Sequence, residues 1–245
     1  MLFDIFEKIY IINLPSRVDR KREIQDQLVR MGLRVDDSRV VFFPAVRPSD
    51  KDGFPTIGAR GCFMSHLEVL RKIRDENLST ALILEDDCNF YYKNVSQLSL
   101  LEKILPESDW DIFYGGALQN RQLNPSVDGF VKIEPSIGIM GSHCIGVKSA
   151  VAGEIVDYLE KMLDRPAGDP NGGPMHVDGA YSWYRKINSA RKTILSVPEI
   201  AYQRSSVTDV HEKTLLSEWA YKFAFFRQSM SSFRRLKNSI LSKIK

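Results

Sequence analysis

Two hydrophobic periods alternate along this chain. The run "KIYIINL" (Lys8 to Leu14) is apolar almost throughout and β-branched, the pattern of a strand buried on both faces. In "PSRVDRKREIQDQLVRMGL", Pro15 and Ser16 break that strand. Ile24, Leu28 and Met31 then recur at helical spacing up to Gly32, a C-cap residue. "RVVFFPAV" (Arg39 to Val46) reads as a second strand, and "RPSDKDGFPTIGARG" as a polar loop. The helical period returns in "GCFMSHLEVLRKIRDENL", with Phe63, Leu67, Leu70 and Ile73 on one face. "TALILEDD" follows as a short central strand whose apolar run ends in Glu85, Asp86 and Asp87.

The second half is more mixed. "VSQLSLLEKIL" predicts a helix, and "WDIFYGG" a strand ending in Gly115 and Gly116. "SHCIGVKSAVAGEIVDYLEKML" predicts a strand and then a helix, "GPMHVDGAYSWYRK" a short helix starting near Asp178, and "KTILSVPEIAYQRS" a last strand pair or turn. Alternation of this kind implies an α/β fold with a largely parallel sheet and helices on both faces. Ligands of such sheets bind outside the carboxyl ends of the strands, where the three acids would stand.

Composition narrows the class. A chain of 245 residues with ordinary globular composition suits one α/β domain, residues 1–218, followed by an appendage, residues 219–245. Cys62, Cys88 and Cys144 form no CxxC pair and lie in apolar stretches, so they read as small buried residues in a reducing compartment. The N-terminus is apolar but interrupted by charges and lacks the basic start and cleavage site of a signal peptide, so the expected location is cytoplasmic. Net charge is +3, yet the last 27 residues hold seven basic side chains and no acid, which leaves the first 218 at −4.

In that appendage Trp219, Phe223, Phe226, Met230, Phe233, Ile240 and Ile244 recur every three or four residues among the basic ones. This suits an amphipathic helix on an anionic membrane surface, placing the protein peripherally on the inner face of a membrane; the alternative is a helix packed on the domain. Nucleic acid is not an expected partner, because the main domain is mildly acidic.

Several chemistries lack their motifs: there is no GxxxxGK[ST], no GxGxxG after the first strand, no GxSxG and no HExxH. The acidic triplet has two readings. It is a solvated turn, or it is a set of carboxylates that raise one another's pKa values until a cation offsets them. Mg²⁺ or Mn²⁺ commonly takes one or two carboxylates and completes its shell with phosphate oxygens and water. In a continued strand Glu85 and Asp87 would share one side, with Asp86 opposite.

The company of the triplet favours the second reading. "GCFMSHLEVLRKIRDENLSTALILEDD" resembles the signature of glycosyltransferase family 25, the lipopolysaccharide-biosynthesis and collagen-galactosyltransferase group. "IYIINLPSRVDRKREI", "FFPAV", "SHCIGVKSAVAGEIVDYL", "HVDGAYSWY" and "VPEIAYQRSSVTDVHE" are similar to further family blocks, so the resemblance runs over roughly residues 7 to 212. Arg60 departs from the acid that many members carry before Gly-Cys, and Gln119 to Asp128 is individual to this chain.

The resemblance implies a GT-A-like three-layer α/β/α domain that transfers a sugar, galactose favoured, from a UDP-sugar donor with inversion to a saccharide or glycolipid acceptor. The setting it implies is lipopolysaccharide or other surface-glycan synthesis. It implies Mn²⁺ or Mg²⁺ on the donor diphosphate, with Asp87 the main ligand, Asp86 a further ligand, and Asp86 or Glu85 contacting the metal through water or the donor ribose. His211 is the candidate third ligand, with His143 and His176 as rivals. Asn13, Arg17 and Arg20 are candidate donor-binding residues; the arginines have the alternative of covering a helix turn. Asp178 is the candidate base, an N-cap role being its alternative. His66 is expected to pack behind the site against a backbone group or carboxylate. Two other classes stay open: another metal-dependent nucleotide enzyme, and a non-catalytic glycan- or membrane-binding module of the same fold.

Overall fold

The computed structural model describes residues 2–34, 36–118 and 128–204. A short 3-10 turn (Leu2–Ile5) leads into β1 (Lys8–Asn13), α1 (Val18–Arg30), β2 (Val40–Pro44), α2 (Ile57–Asp75), β3 (Thr80–Glu85), β4 (Cys88–Phe90) and α3 (Val95–Ile104). Then come β5 (Ile112–Tyr114), β6 (Phe130–Ile133), β7 (Cys144–Lys148), α4 (Ser149–Leu163), α5 (Val177–Ile187), β8 (Thr193–Ser196) and β9 (Ala201–Gln203).

Seven strands form one sheet in the order β2-β1-β3-β7-β5-β8-β6, and β4 pairs with β9 in a separate ribbon. β1 runs parallel to β2 and β3, and β5 parallel to β8, whereas β7 is antiparallel to both β3 and β5 and β6 is antiparallel to β8. Five of the seven strands therefore point one way, and the sheet is mostly parallel as expected. The final segment is not a hairpin: β8 joins the main sheet and β9 the ribbon.

Strand period two sorts the side chains into two cores. Tyr10, Ile12, Ala81 and Ile83 face α2, α4 and α5, while Ile9, Ile11, Leu82 and Leu84 face α1 and α3. Helices thus cover both faces, giving the three-layer α/β/α arrangement. Each buried aliphatic side chain contributes about 1.5–3 kcal/mol, and the central strands β1 and β3 supply them on both sides.

The helices form where the sequence caps and patterns them. The Thr56 hydroxyl accepts the Ala59 N–H and starts α2 one turn earlier than the apolar period alone suggests. In α1, Arg20, Ile24 and Leu28 recur every four residues and are all buried, so Arg20 lies on the stripe that faces the sheet. The segment 219–245 lies outside the described residues.

Candidate active site

Strand parity also divides the three acids. Glu85 continues the side of Ala81 and Ile83, toward α2, and Asp86 points to the opposite side, toward α1. Glu85 Oε1 accepts the Ser142 hydroxyl at 2.5 Å and lies 3.4 Å from His66 Nε2. Asp86 accepts Asn13 Nδ2 and an Arg20 NH1 hydrogen bond, both at 2.8 Å. The strand ends at Glu85, and a turn carries the chain into β4. Asp87 therefore does not rejoin the side of Glu85, as a continued strand would have it. Its Oδ2 lies 3.8 Å from Arg20 NH1 and accepts Gln203 Nε2 at 3.3 Å, while its Oδ1 is buried with no hydrogen-bond partner.

The electrostatics follow from this division. Burial raises the Asp87 carboxyl, and the charges of Glu85 and Asp86 add to it against the pull of Arg20, so it is pushed up to about 7. Burial also raises Asp86, with Arg20 and Asn13 opposing. For Glu85 burial acts upward too, but His66, Ser142 and His143 together outweigh it and the carboxyl is lowered. Glu85 thus holds its charge and Asp87 carries the unrelieved strain of the triplet. An orphaned, buried carboxylate oxygen on a group pushed upward fits a cation-binding role.

The sequence candidates divide. Asn13, the last residue of β1, and Arg20 sit directly on Asp86 and are buried. The Arg17 guanidinium pairs with Asp19 in the first turn of α1, which is the helix-covering alternative, and the Arg17 carbonyl accepts Asn13 Nδ2 at 3.2 Å. Arg17 lies off the buried stripe that carries Arg20. Asp178 is the second residue of α5, and His176 rather than Asp178 occupies the N-cap position. Its carboxylate accepts the N–H groups of Gly141 (3.0 Å) and Gly179 (2.7 Å). Since Ser142 follows Gly141 directly, one short segment holds Asp178 on one side and Glu85 on the other.

His143 is buried in this segment, beside the Ala201 backbone. Burial lowers its pKa against the charge of Glu85. His211 lies outside the described residues. His66 takes the expected place behind the site, between Glu85 and the Tyr181 hydroxyl, which is 3.2 Å from Nδ1.

Gly115 and Gly116 let the end of β5 pack closely against the segment leading into β9. The Gly115 carbonyl accepts the N–H groups of Ile200 and Ala201, and a Cβ on Gly116 would run into the Ala201 carbonyl oxygen.

Several side chains of the site escape sequence reasoning. Ser142 and Gln203 reach the acids from β-strand ends distant in sequence, and neither residue type announces itself. Cys62 is half-buried rather than a core residue, although its four-residue spacing from His66 was a legible signal. Burial, with the charges of Glu85, Asp87 and Asp178, pushes the Cys62 thiol well up.

A strand-end carboxylate cluster in a mostly parallel α/β sheet is the geometry of a ligand site, and comparison with known proteins gives it a family. Residues 6–134 match the model described as Glycosyltransferase family 25 (LPS biosynthesis protein), and the chain belongs to that family. Among similar proteins, Procollagen galactosyltransferase 1-B of Xenopus laevis is 30% identical over 129 residues, 45% of this chain and 21% of that protein. Procollagen galactosyltransferase 2 of Mus musculus is 26% identical over 181 residues, 64% of this chain and 29% of that one. Inactive glycosyltransferase 25 family member 3 of Homo sapiens is 28% identical over 154 residues, 56% of this chain and 25% of that one. The chain thus spans well under a third of the length of these relatives. A crystal structure of a glycosyltransferase involved in glycosylation of the major capsid of PBCV-1 aligns with TM-score 0.42 at 10% identity, over 81% of this chain and 95% of that one.

Proposed function

We propose that the protein is a metal-dependent, inverting glycosyltransferase that moves a hexose, galactose in first place, from a UDP-sugar to a saccharide or glycolipid acceptor. The observation that carries this reading is the buried, unpartnered Oδ1 of Asp87 at the end of β3 in a chain of this family. Asp87, with Asp86 beside it, would hold Mn²⁺ or Mg²⁺, and His211 is the further candidate ligand. When bound, the ion supplies positive charge against the diphosphate leaving group.

The chain's own residues do the rest. Asn13 and Arg20 fix the Asp86 carboxylate, and these three would face the nucleotide of the donor. Ser142 fixes Glu85, which remains charged. Asp178 is the base: its carboxylate takes the proton of the acceptor hydroxyl as that oxygen bonds to the anomeric carbon and the bond to UDP breaks. Two backbone N–H groups hold it in place beforehand. A role in lipopolysaccharide or other surface-glycan synthesis agrees with the description of the family model. A cytoplasmic location on the inner face of a membrane, held by residues 219–245, is supported by the charge pattern of that segment.

A screen of UDP-sugars with Mn²⁺, read as UDP release with and without saccharide acceptors, tests this reading. Metal-dependent release with one donor is the expected result. Absence of release with every donor, together with glycan binding that EDTA does not alter, would instead establish the non-catalytic module. That second reading draws on the relative named inactive.

A further inference from the structure

The transfer chemistry proposed above makes no use of Cys62 or of His66, yet both converge on Glu85. Cys62 and His66 stand four residues apart on α2, so they project from one helix face one turn apart. The parity of β3 aims Glu85 at that same face. One donor atom of each residue, the thiol sulfur, an imidazole nitrogen and a carboxylate oxygen, lies within 4.8 Å of the other two.

The spacing inside the cluster is informative. His66 is fully buried, and its Nε2 makes no well-formed hydrogen bond although Glu85 Oε1 is 3.4 Å away. Two ligand atoms about 2.0–2.1 Å from a tetrahedral ion are roughly 3.3–3.4 Å apart. The pair is therefore set as two donors facing a common ion would be. The outer contacts agree: the other ring nitrogen, Nδ1, meets the Tyr181 hydroxyl, and Ser142 steadies Glu85. Metal-bound histidines and carboxylates are held in this way.

We propose that Cys62, His66 and Glu85 bind a borderline-soft divalent cation, Zn²⁺ in first place, through three protein ligands with a fourth position open. The sulfur, nitrogen and oxygen donor set selects zinc over Mg²⁺ or Mn²⁺, which prefer oxygen alone. The site is thereby chemically distinct from the oxygen-ligand site at Asp87. Zn²⁺ here would pin the end of β3 to α2, on the side of Glu85 away from Asp86.

Titration of the chelator-stripped full chain with Co²⁺, followed by displacement with Zn²⁺, tests this without any donor or acceptor. One equivalent of Co²⁺ should give a near-ultraviolet thiolate-to-cobalt band that Zn²⁺ abolishes. Asp87→Asn, Cys88→Ser and Cys144→Ser should keep the band. Cys62→Ser should lose it and weaken Zn²⁺ binding beyond the roughly 10–100-fold typical of an outer-shell change. A second measurement covers the case in which Cys62→Ser does not fold: in the wild type, Zn²⁺ but not Mn²⁺ should protect Cys62 from alkylation, mapped by peptide mass. Absence of a thiolate band in the wild type, its survival in a folded Cys62→Ser, or alkylation of Cys62 unchanged by Zn²⁺ would each overturn the proposal.

Discussion

Arg20 NH1 lies 2.8 Å from Asp86 Oδ1 and 3.8 Å from Asp87 Oδ2, so a single buried guanidinium serves two of the three adjacent carboxylates. Removing one partner of a buried ion pair leaves the other charge uncompensated, which typically costs about 3–5 kcal/mol. Arg20→Met is expected to lower stability by roughly that amount in the metal-free protein, measured by urea unfolding at pH 7. Mn²⁺ should recover part of the loss, because it meets the same excess of negative charge.

Asp87 sets a pH dependence with a definite sign. Its folded-state pKa is raised from the ordinary aspartate value of 3.8 to about 7. The folded chain therefore binds this proton more tightly than the unfolded chain. The stabilisation is complete below about pH 4 and is lost as pH rises toward 7, at up to about 1.4 kcal/mol per pH unit. Glu85, which is lowered from 4.5, acts in the opposite sense and in a lower window: its contribution is lost as pH falls through its folded-state pKa. Urea unfolding in EDTA between pH 4.5 and 7.5 should show stability falling with pH in the wild type and a flatter profile in Asp87→Asn.

Asp178 should separate chemistry from donor binding. Asp178→Asn keeps the size of the side chain and an acceptor for Gly141 or Gly179, so a stability cost of about 1 kcal/mol is expected. Loss of a general base typically lowers turnover by about 10²–10⁴-fold. Single-turnover transfer should fall by that order while the donor Kd stays unchanged. A mutant that transfers at the wild-type rate would remove Asp178 from the mechanism.

Gly116→Ala tests the packing that joins the β4/β9 ribbon to the sheet. The added methyl is directed into the Ala201 carbonyl oxygen. Overpacking of this kind costs at least about 2 kcal/mol, or a Tm lower by roughly 4–8 °C for a chain of this size. Differential scanning calorimetry checks it.

These effects also show what sequence patterns carry and where they stop. β1, α1, α2 and β3 were legible because each presents a long, unmixed period: "KIYIIN" and "TALILE" are apolar on both faces, and α2 repeats Phe63, Leu67, Leu70 and Ile73. β4 and β6 escaped: each is only three or four residues long, and neither carries the unbroken apolar run that marked the equally short β5 and β8. The fate of Asp87 hinged on one of them, since the turn from β3 into β4 diverts it from Glu85 and toward Gln203. Arg17 and Arg20 looked equivalent in sequence, and only the four-residue register of Arg20 with Ile24 and Leu28 separates them. Asp178 was legible as a residue near the start of a helix, but its approach to Gly141 depends on a contact 37 residues away in sequence.

The central claim is that Asp87 holds a divalent cation against the diphosphate of a nucleotide-sugar donor. Calorimetric titration with UDP, in Mn²⁺ and in EDTA, for the wild type and Asp87→Asn, tests it most directly. The account predicts that Mn²⁺ tightens UDP binding at least about tenfold in the wild type, about 1.4 kcal/mol, and leaves Asp87→Asn at the EDTA affinity. Equal UDP affinity with and without metal in the wild type, or an undiminished Mn²⁺ gain in Asp87→Asn, would contradict it.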